Sequence, residues 1–143
     1  MKRKLKRAGM IAGVLAVAAL MFFFPRPIVP DIEDTRVISV YYNPYFMENS
    51  NEIPVSIPDF DEQKILECLS RYRKYYTLSR AGQRSVSDIQ LEIGILTNDD
   101  THQTITLGNI HNDIAESYGA WKQGVYNADA LREELLDILE LPE

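Results

Sequence analysis

Residues 8–24 contain no charged side chain, and that run of 17 residues, AGMIAGVLAVAALMFFF, constrains the chain more than any other feature. At about 1.5 Å per residue a helix of this length covers roughly 25 Å, close to the lower limit for crossing a hydrocarbon core, with long basic side chains at its ends able to make up the difference. Lys2, Arg3, Lys4, Lys6 and Arg7 precede the run, and Arg26 and Arg36 are the first cations after it. This asymmetry predicts a signal-anchor helix over residues 8–24, with residues 1–7 as a basic cytoplasmic flank and the rest of the chain outside the cytoplasmic membrane. A cleaved signal peptide is the alternative, because Ala16-Val17-Ala18 has the small-x-small pattern of a cleavage site; cleavage there leaves the apolar residues 19–24 at the new terminus, which favours a retained anchor. The only cysteine is Cys68, so the run does not end in a lipidation site.

Pro25, Pro27 and Pro30 follow within residues 25–34, a density that favours extended polyproline II and predicts a semi-rigid stalk of at most about 30 Å. Residues 35–143 are then long enough for one domain with one core. From residue 8 onward 10 Lys and Arg stand against 21 Asp and Glu, a net charge of −11 compared with −6 for the whole chain. Such a balance argues against nucleic acid as a partner, since phosphates are repelled unless one face is locally basic. With one cysteine no intrachain disulfide is available, and burial alone must hold the fold.

Periodicity predicts the elements of the domain. Thr35–Tyr42 (TRVISVYY) is rich in β-branched and aromatic residues and reads as a strand covered on both faces, and Ile53, Val55 and Ile57 alternate as a second, short one. Asp59-Phe60-Asp61-Glu62 offers a helix cap, after which Ile65, Cys68, Leu69, Tyr72 and Tyr76 recur at helical spacing. Ile89, Leu91, Ile93 and Ile95 form the clearest alternation, Asn98-Asp99-Asp100 makes a turn, and QTITL at 103–107 returns as the hairpin partner. Residues 108–116 are polar and read as a loop; Tyr118-Gly119-Ala120-Trp121 and Gly124-Val125-Tyr126 read as one further short strand or a hairpin. Asn127 is placed to cap a last helix whose stripe is Leu131, Leu135, Ile138 and Leu139. The order β-β-α-β-β-(β)-α predicts an α+β domain, an antiparallel sheet of four or five strands with two helices on one face.

TRVISVYY, DIQLEIGILTNDDTHQTITL and GVYNADALREELLDIL, following a short anchor and a proline-containing stalk, resemble in order and pattern the small uncharacterised extracytoplasmic domains of Gram-positive membrane-anchored proteins and lipoproteins. The resemblance covers most of residues 30–141 and implies no activity and no functional residue. The chain departs from the lipoprotein members in lacking their lipidated cysteine.

Candidate functional residues are few. Arg71, Arg73, Lys74, Arg80 and Arg84, interleaved with Tyr72, Tyr75 and Tyr76, form a basic-aromatic cluster suited to an anionic surface, a polyanion or an acidic partner, although cations at a helix end also complement its dipole. Trp121 completes the candidate interaction patch, with core packing as its ordinary role. His102 and His111, near Asp99, Asp100 and Asp113, lack zinc or EF-hand spacing, so no metal is expected. Cys68 sits on an apolar stripe, where a free thiol behaves as a small hydrophobe rather than a nucleophile. No nucleophile elbow, phosphate loop, dinucleotide fingerprint or HExxH motif is present, so no cofactor is expected. These observations lead to the expectation of a membrane-tethered binding or assembly module of the cell envelope, with a membrane and an envelope protein or polyanion as partners. An enzyme or inhibitor acting on cell-wall or secreted polymers is the competing class.

Overall fold

The computed structural model describes residues 2–44, 54–80, 88–109, 112–116 and 121–142. In chain order the elements are α1 (Lys2–Phe23), β1 (Arg26–Pro27), β2 (Thr35–Tyr42), β3 (Val55–Ile57), α2 (Glu62–Arg71), β4 (Arg73–Arg80), β5 (Ile89–Thr97), β6 (His102–Gly108), β7 (Asp113–Glu116), β8 (Trp121–Val125) and α3 (Ala128–Ile138). The eight strands make one sheet in the order β1-β4-β8-β7-β6-β5-β2-β3. Every neighbouring pair is antiparallel. The β5–β8 meander fills the middle, while the earlier part of the chain supplies both flanks, with α2 carrying it from β3 on one edge to β4 beside the other.

Alternation decides which face is buried, because successive strand residues point to opposite sides. One row of register partners runs straight across the sheet: Val40, Ile93, Ile105 and Ile114. All four are fully buried. With Ile38, Leu91, Ile95 and Leu107 they pack against Ile65, Leu66, Cys68 and Leu69 of α2 and Leu131, Leu135 and Leu136 of α3 in a single core. Asp61 caps α2, its carboxylate accepting from the Lys64 amide at 3.1 Å. Asn127 begins α3 differently: it adopts the left-handed conformation, at φ 52°, and its side chain makes no capping bond. Asparagine tolerates that conformation better than most residues, so its value here lies in the backbone.

Several expectations are corrected. The sheet has eight strands rather than four or five, for three identifiable reasons. The helix predicted to continue to Tyr76 stops at Arg71, and Tyr72 turns into extended backbone at ψ 159°, so that RKYYTLSR becomes β4. The polar stretch read as a loop contains β7, held by its pairing with β6 on one side and β8 on the other. The residues expected to form a stalk are sheet and core: Arg26 and Pro27 pair with Lys74 and Arg73, the Ile28 amide donates to the Tyr72 carbonyl at 3.1 Å, and Ile28 and Val29 are buried. Pro27 can occupy β1 because an edge strand need not donate on both sides.

The expectations that rest on an N-terminal transmembrane helix, namely a single-pass signal anchor, an N-terminus in the cytoplasm and a domain held outside the membrane, are also corrected. Among the described residues no helix is long and apolar enough to cross a membrane. The uncharged part of α1, residues 8–23, measures about 24 Å at about 1.5 Å per residue, against about 30 Å of hydrocarbon. Its last turn is engaged elsewhere, since the Phe22 ring stacks on Tyr76 of β4 with centroids 5.0 Å apart. The side chains of residues 8–21 are exposed.

Candidate functional site

The buried row that crosses the sheet does not end at Ile114. Its next partner on β8 is Gln123, and beyond that Tyr76 on β4. An amide therefore stands where alternation would place another apolar side chain. Gln123 is 3 % exposed, and its Oε1 is buried without a hydrogen-bond partner. A buried acceptor left unpaired forfeits its hydration with nothing in return, a cost of about 1–3 kcal/mol.

Above this row the roof is not a helix but the segment joining α1 to the sheet. Phe24, Arg26, Pro27 and Pro30 overhang Lys74, Tyr76, Glu116 and Gln123, enclosing a cleft of about 310 Å³ whose lining is mainly apolar. Larger hollows lie along α2 and α3, but they are more open, and the one of about 520 Å³ is lined by the exposed Lys64, Glu67 and Arg71. The charges inside the cleft are matched: Lys74 Nζ donates to Glu116 Oε1 at 3.0 Å, with the two side chains 13 % and 28 % exposed. Arg26 sits at the rim, its guanidinium 5.2 Å from the Tyr76 ring centre and its Nη2 donating to the Met21 carbonyl at 3.3 Å. One aromatic ring thus receives the foot of α1 and the rim arginine together.

The basic cluster read from the sequence is dispersed by the turn from α2 into β4. Arg71 pairs with Glu134 of α3, which also accepts from the Tyr72 hydroxyl at 3.0 Å. Arg73 and Lys74 are consecutive strand residues and face opposite sides, Arg73 exposed and Lys74 in the cleft. Arg80 and Trp121 are register partners on β4 and β8. Arg84 lies outside the described residues, as does His111. His102 is exposed at the start of β6. Among the described residues no three His, Cys, Asp or Glu side chains come together to hold a metal ion.

Cys68 is fully buried, and burial first, then the charge of Glu134, pushes its thiol up to about 11. A thiol so raised stays protonated at neutral pH and is a poor nucleophile. Burial, followed by the hydrogen bond to Glu134, pushes the Tyr72 phenol up to about 12, which keeps it a donor. Both groups serve the α2–α3 contact.

Sequence reasoning missed Phe24, Arg26, Tyr76, Glu116 and Gln123 as a group. The available signal was in WKQGV, an alternating segment in which the polar Gln123 shares its face with the buried Val125. No family model, no curated protein and no solved structure matches the chain.

Proposed function

We propose that this chain is a binding module whose ligand-facing surface is the cleft between the residue 24–30 segment and the β4–β8–β7 part of the sheet. The observation that carries this reading is the cleft itself: mainly apolar walls under the residue 24–30 segment, with Arg26 at the rim and the Lys74–Glu116 pair and Gln123 in the lining. Apolar walls supply affinity through burial, and the exposed Arg26 guanidinium at the rim supplies a polar anchor for orientation. The exposed apolar side chains of α1, among them Met10, Val14, Leu15 and Leu20, are a second support for binding or assembly, since apolar surface of that extent on a folded chain favours contact with a partner. A membrane tether forms no part of the reading.

The competing reading, an enzyme or inhibitor acting on polymers, asks for convergent carboxylates with freedom to take up or release a proton. Glu116 is the cleft's carboxylate, and its bond to Lys74 ties it to charge balance instead. The binding reading is tested on the full chain by following the side-chain amide resonances of Gln123 during titration with a panel of small aromatic fragments. Saturable shifts at Gln123 are expected for at least some members. A panel that leaves Gln123 unmoved throughout contradicts the reading.

A further inference from the structure

Resting on that binding reading, we propose that the cleft takes a small amphipathic monoanion, an apolar ring or short chain that ends in one carboxylate, with the carboxylate on the Arg26 guanidinium and the apolar body along Phe24, Pro27, Pro30 and Tyr76. Charge, placement and size all lead to that class.

The lining holds two cations, Arg26 and Lys74, against one carboxylate, Glu116, a formal balance of +1. Lys74 Nζ and Glu116 Oε1 lie 3.0 Å apart and satisfy one another, which leaves Arg26 as the surplus. Most described cations beyond residue 7 are in ion pairs, Arg36 with Asp100, Arg71 with Glu134 and Lys122 with Asp113 among them. Arg26 has no carboxylate beside it among the described residues, and its contacts are the Met21 carbonyl and the Tyr76 ring. A guanidinium carries five N–H donors, and the Met21 carbonyl takes one of them. The chain as a whole is acidic, −11 from residue 8 onward, but charges farther than about 8 Å are largely screened at physiological salt, so the local surplus decides.

Placement fixes what the anion must carry with it. Phe24, two residues before the arginine, is 66 % exposed and lines the same cleft, and Pro27 and Pro30 continue that wall. Arg26 also lines a second, smaller hollow with Leu20, Met21 and Phe24, so apolar surface adjoins its guanidinium there as well. A hydrated inorganic anion reaches the arginine but leaves this surface wet, whereas a ligand with an apolar body covers it and gains from both contacts. One surplus charge suits a monoanion rather than a doubly charged phosphate, and the planar fork of a guanidinium can take both oxygens of a planar carboxylate. A volume of about 310 Å³ is at the small end of the range for ligand clefts, enough for one or two rings.

The test measures dissociation constants on the full chain, from the Tyr76 resonances, for phenylacetate, its neutral isostere phenylacetamide, benzylphosphonate and acetate. Phenylacetate is expected to bind about tenfold more tightly than phenylacetamide, the worth of one charge-assisted contact at a partly exposed site, and to lose that advantage in high salt. Acetate, which lacks an apolar body, and benzylphosphonate, which carries a second charge, are expected to bind more weakly than phenylacetate. Arg26→Gln is expected to bring phenylacetate and phenylacetamide to equal affinity, with an unchanged Ile28 amide signal showing that the segment is still fastened to the sheet. Glu116→Gln frees Lys74 and is expected to act the other way, tightening phenylacetate several-fold while leaving phenylacetamide as it was; a misfolded variant cannot mimic that gain. Phenylacetamide binding the unaltered chain as tightly as phenylacetate overturns the proposal, and so does either variant leaving the preference unchanged. Benzylphosphonate or acetate binding tightest overturns it too, in favour of a phosphate group or a bare anion. In each of those outcomes the cleft is still a binding site, of another ligand class. If none of the four probes binds while fragments of other classes shift Gln123, the ligand class is wrong and the binding reading stands. Silence from every fragment removes both.

Discussion

The middle of the sheet and its β1–β4–β8 edge are built on the same row of register partners, yet they end in opposite states. In the middle, Val40, Ile93 and Ile105 are fully buried and packed in one core with α2 and α3. At the edge the row reaches Gln123 and Tyr76, and the cover is a proline-containing segment that leaves a cleft. The difference shows what closes a core. A helix lays a continuous apolar stripe across several strands, whereas a segment interrupted by Pro25, Pro27 and Pro30 touches the sheet at points, anchoring Ile28 and Val29 and leaving space between. Polar groups tolerated in that space, the Lys74–Glu116 pair and the Gln123 amide, would be destabilising a few residues away.

The largest effect expected from this contrast is in the middle. Ile105→Ala removes buried carbons from a fully buried core position and is expected to cost about 3 kcal/mol in urea denaturation. A loss below about 1 kcal/mol would mean that the middle is as loosely covered as the edge. Next comes Gly124→Ala on β8. A Cβ there would overlap the Tyr75 ring, which packs on Tyr126 with centroids 4.5 Å apart, so the ring must swing away or the strand must shift, at about 2 kcal/mol. Combining it with Tyr75→Ala is expected to recover most of the steric part, and strict additivity in that cycle would contradict the contact. Smaller again, and opposite in sign, is Gln123→Leu. Replacing a buried unpaired acceptor with an apolar side chain of similar size is expected to leave stability unchanged or raise it by about 1 kcal/mol. A clear loss of stability would show that the amide has a partner within the fold.

A further effect, confined to alkaline solution, is a slope with pH. Below pH 9.0, the ordinary value for its thiol, Cys68 holds its proton in both folded and unfolded chains and makes no difference. Above it the unfolded chain releases the proton while the folded chain retains it up to about 11, so stability falls through that interval. Tyr72 adds the same sign between 10.0 and about 12. Stability measured at pH 8, 9.5 and 11 is expected to decline, and Cys68→Ala is expected to flatten the first part of the decline. An identical slope in the variant would assign the effect elsewhere.

These two regions also differ in how far they were legible beforehand. The 89–95 alternation and the 103–107 return strand have a period of two, which has one geometric meaning once a face must be buried, and Thr35–Tyr42 was legible as a strand, although its outer face, with Val37 and Tyr41, is exposed rather than covered. The stripe of Leu131 and Leu135 is equally direct. The edge was illegible for a different reason at each element. Tyr72 and Tyr76 follow Cys68 at intervals of four, so a helical reading fits as well as the strand they enter, and tertiary pairing with β8 decides between them. The prolines of residues 25–30 suggest a spacer, and only the apolar pair Ile28-Val29 between them hints at burial. In β7 a single apolar residue, Ile114, faces the core, which is too little pattern to separate a strand from a loop. The run over residues 8–24 records hydrophobicity but not what covers it, and its docking onto Tyr76 through Phe22 is a contact between residues 54 positions apart.

The cleft exists only because the segment after α1 is fastened to the sheet edge, and the Ile28 amide reports that fastening directly. It donates to Tyr72 at 3.1 Å, and its side chain is fully buried. Native-state hydrogen exchange on the full chain is expected to show Ile28 protected to a degree approaching Ile105 in β6. Exchange at the rate of an unstructured chain would make residues 25–30 a free spacer after all, and would remove the roof of the cleft.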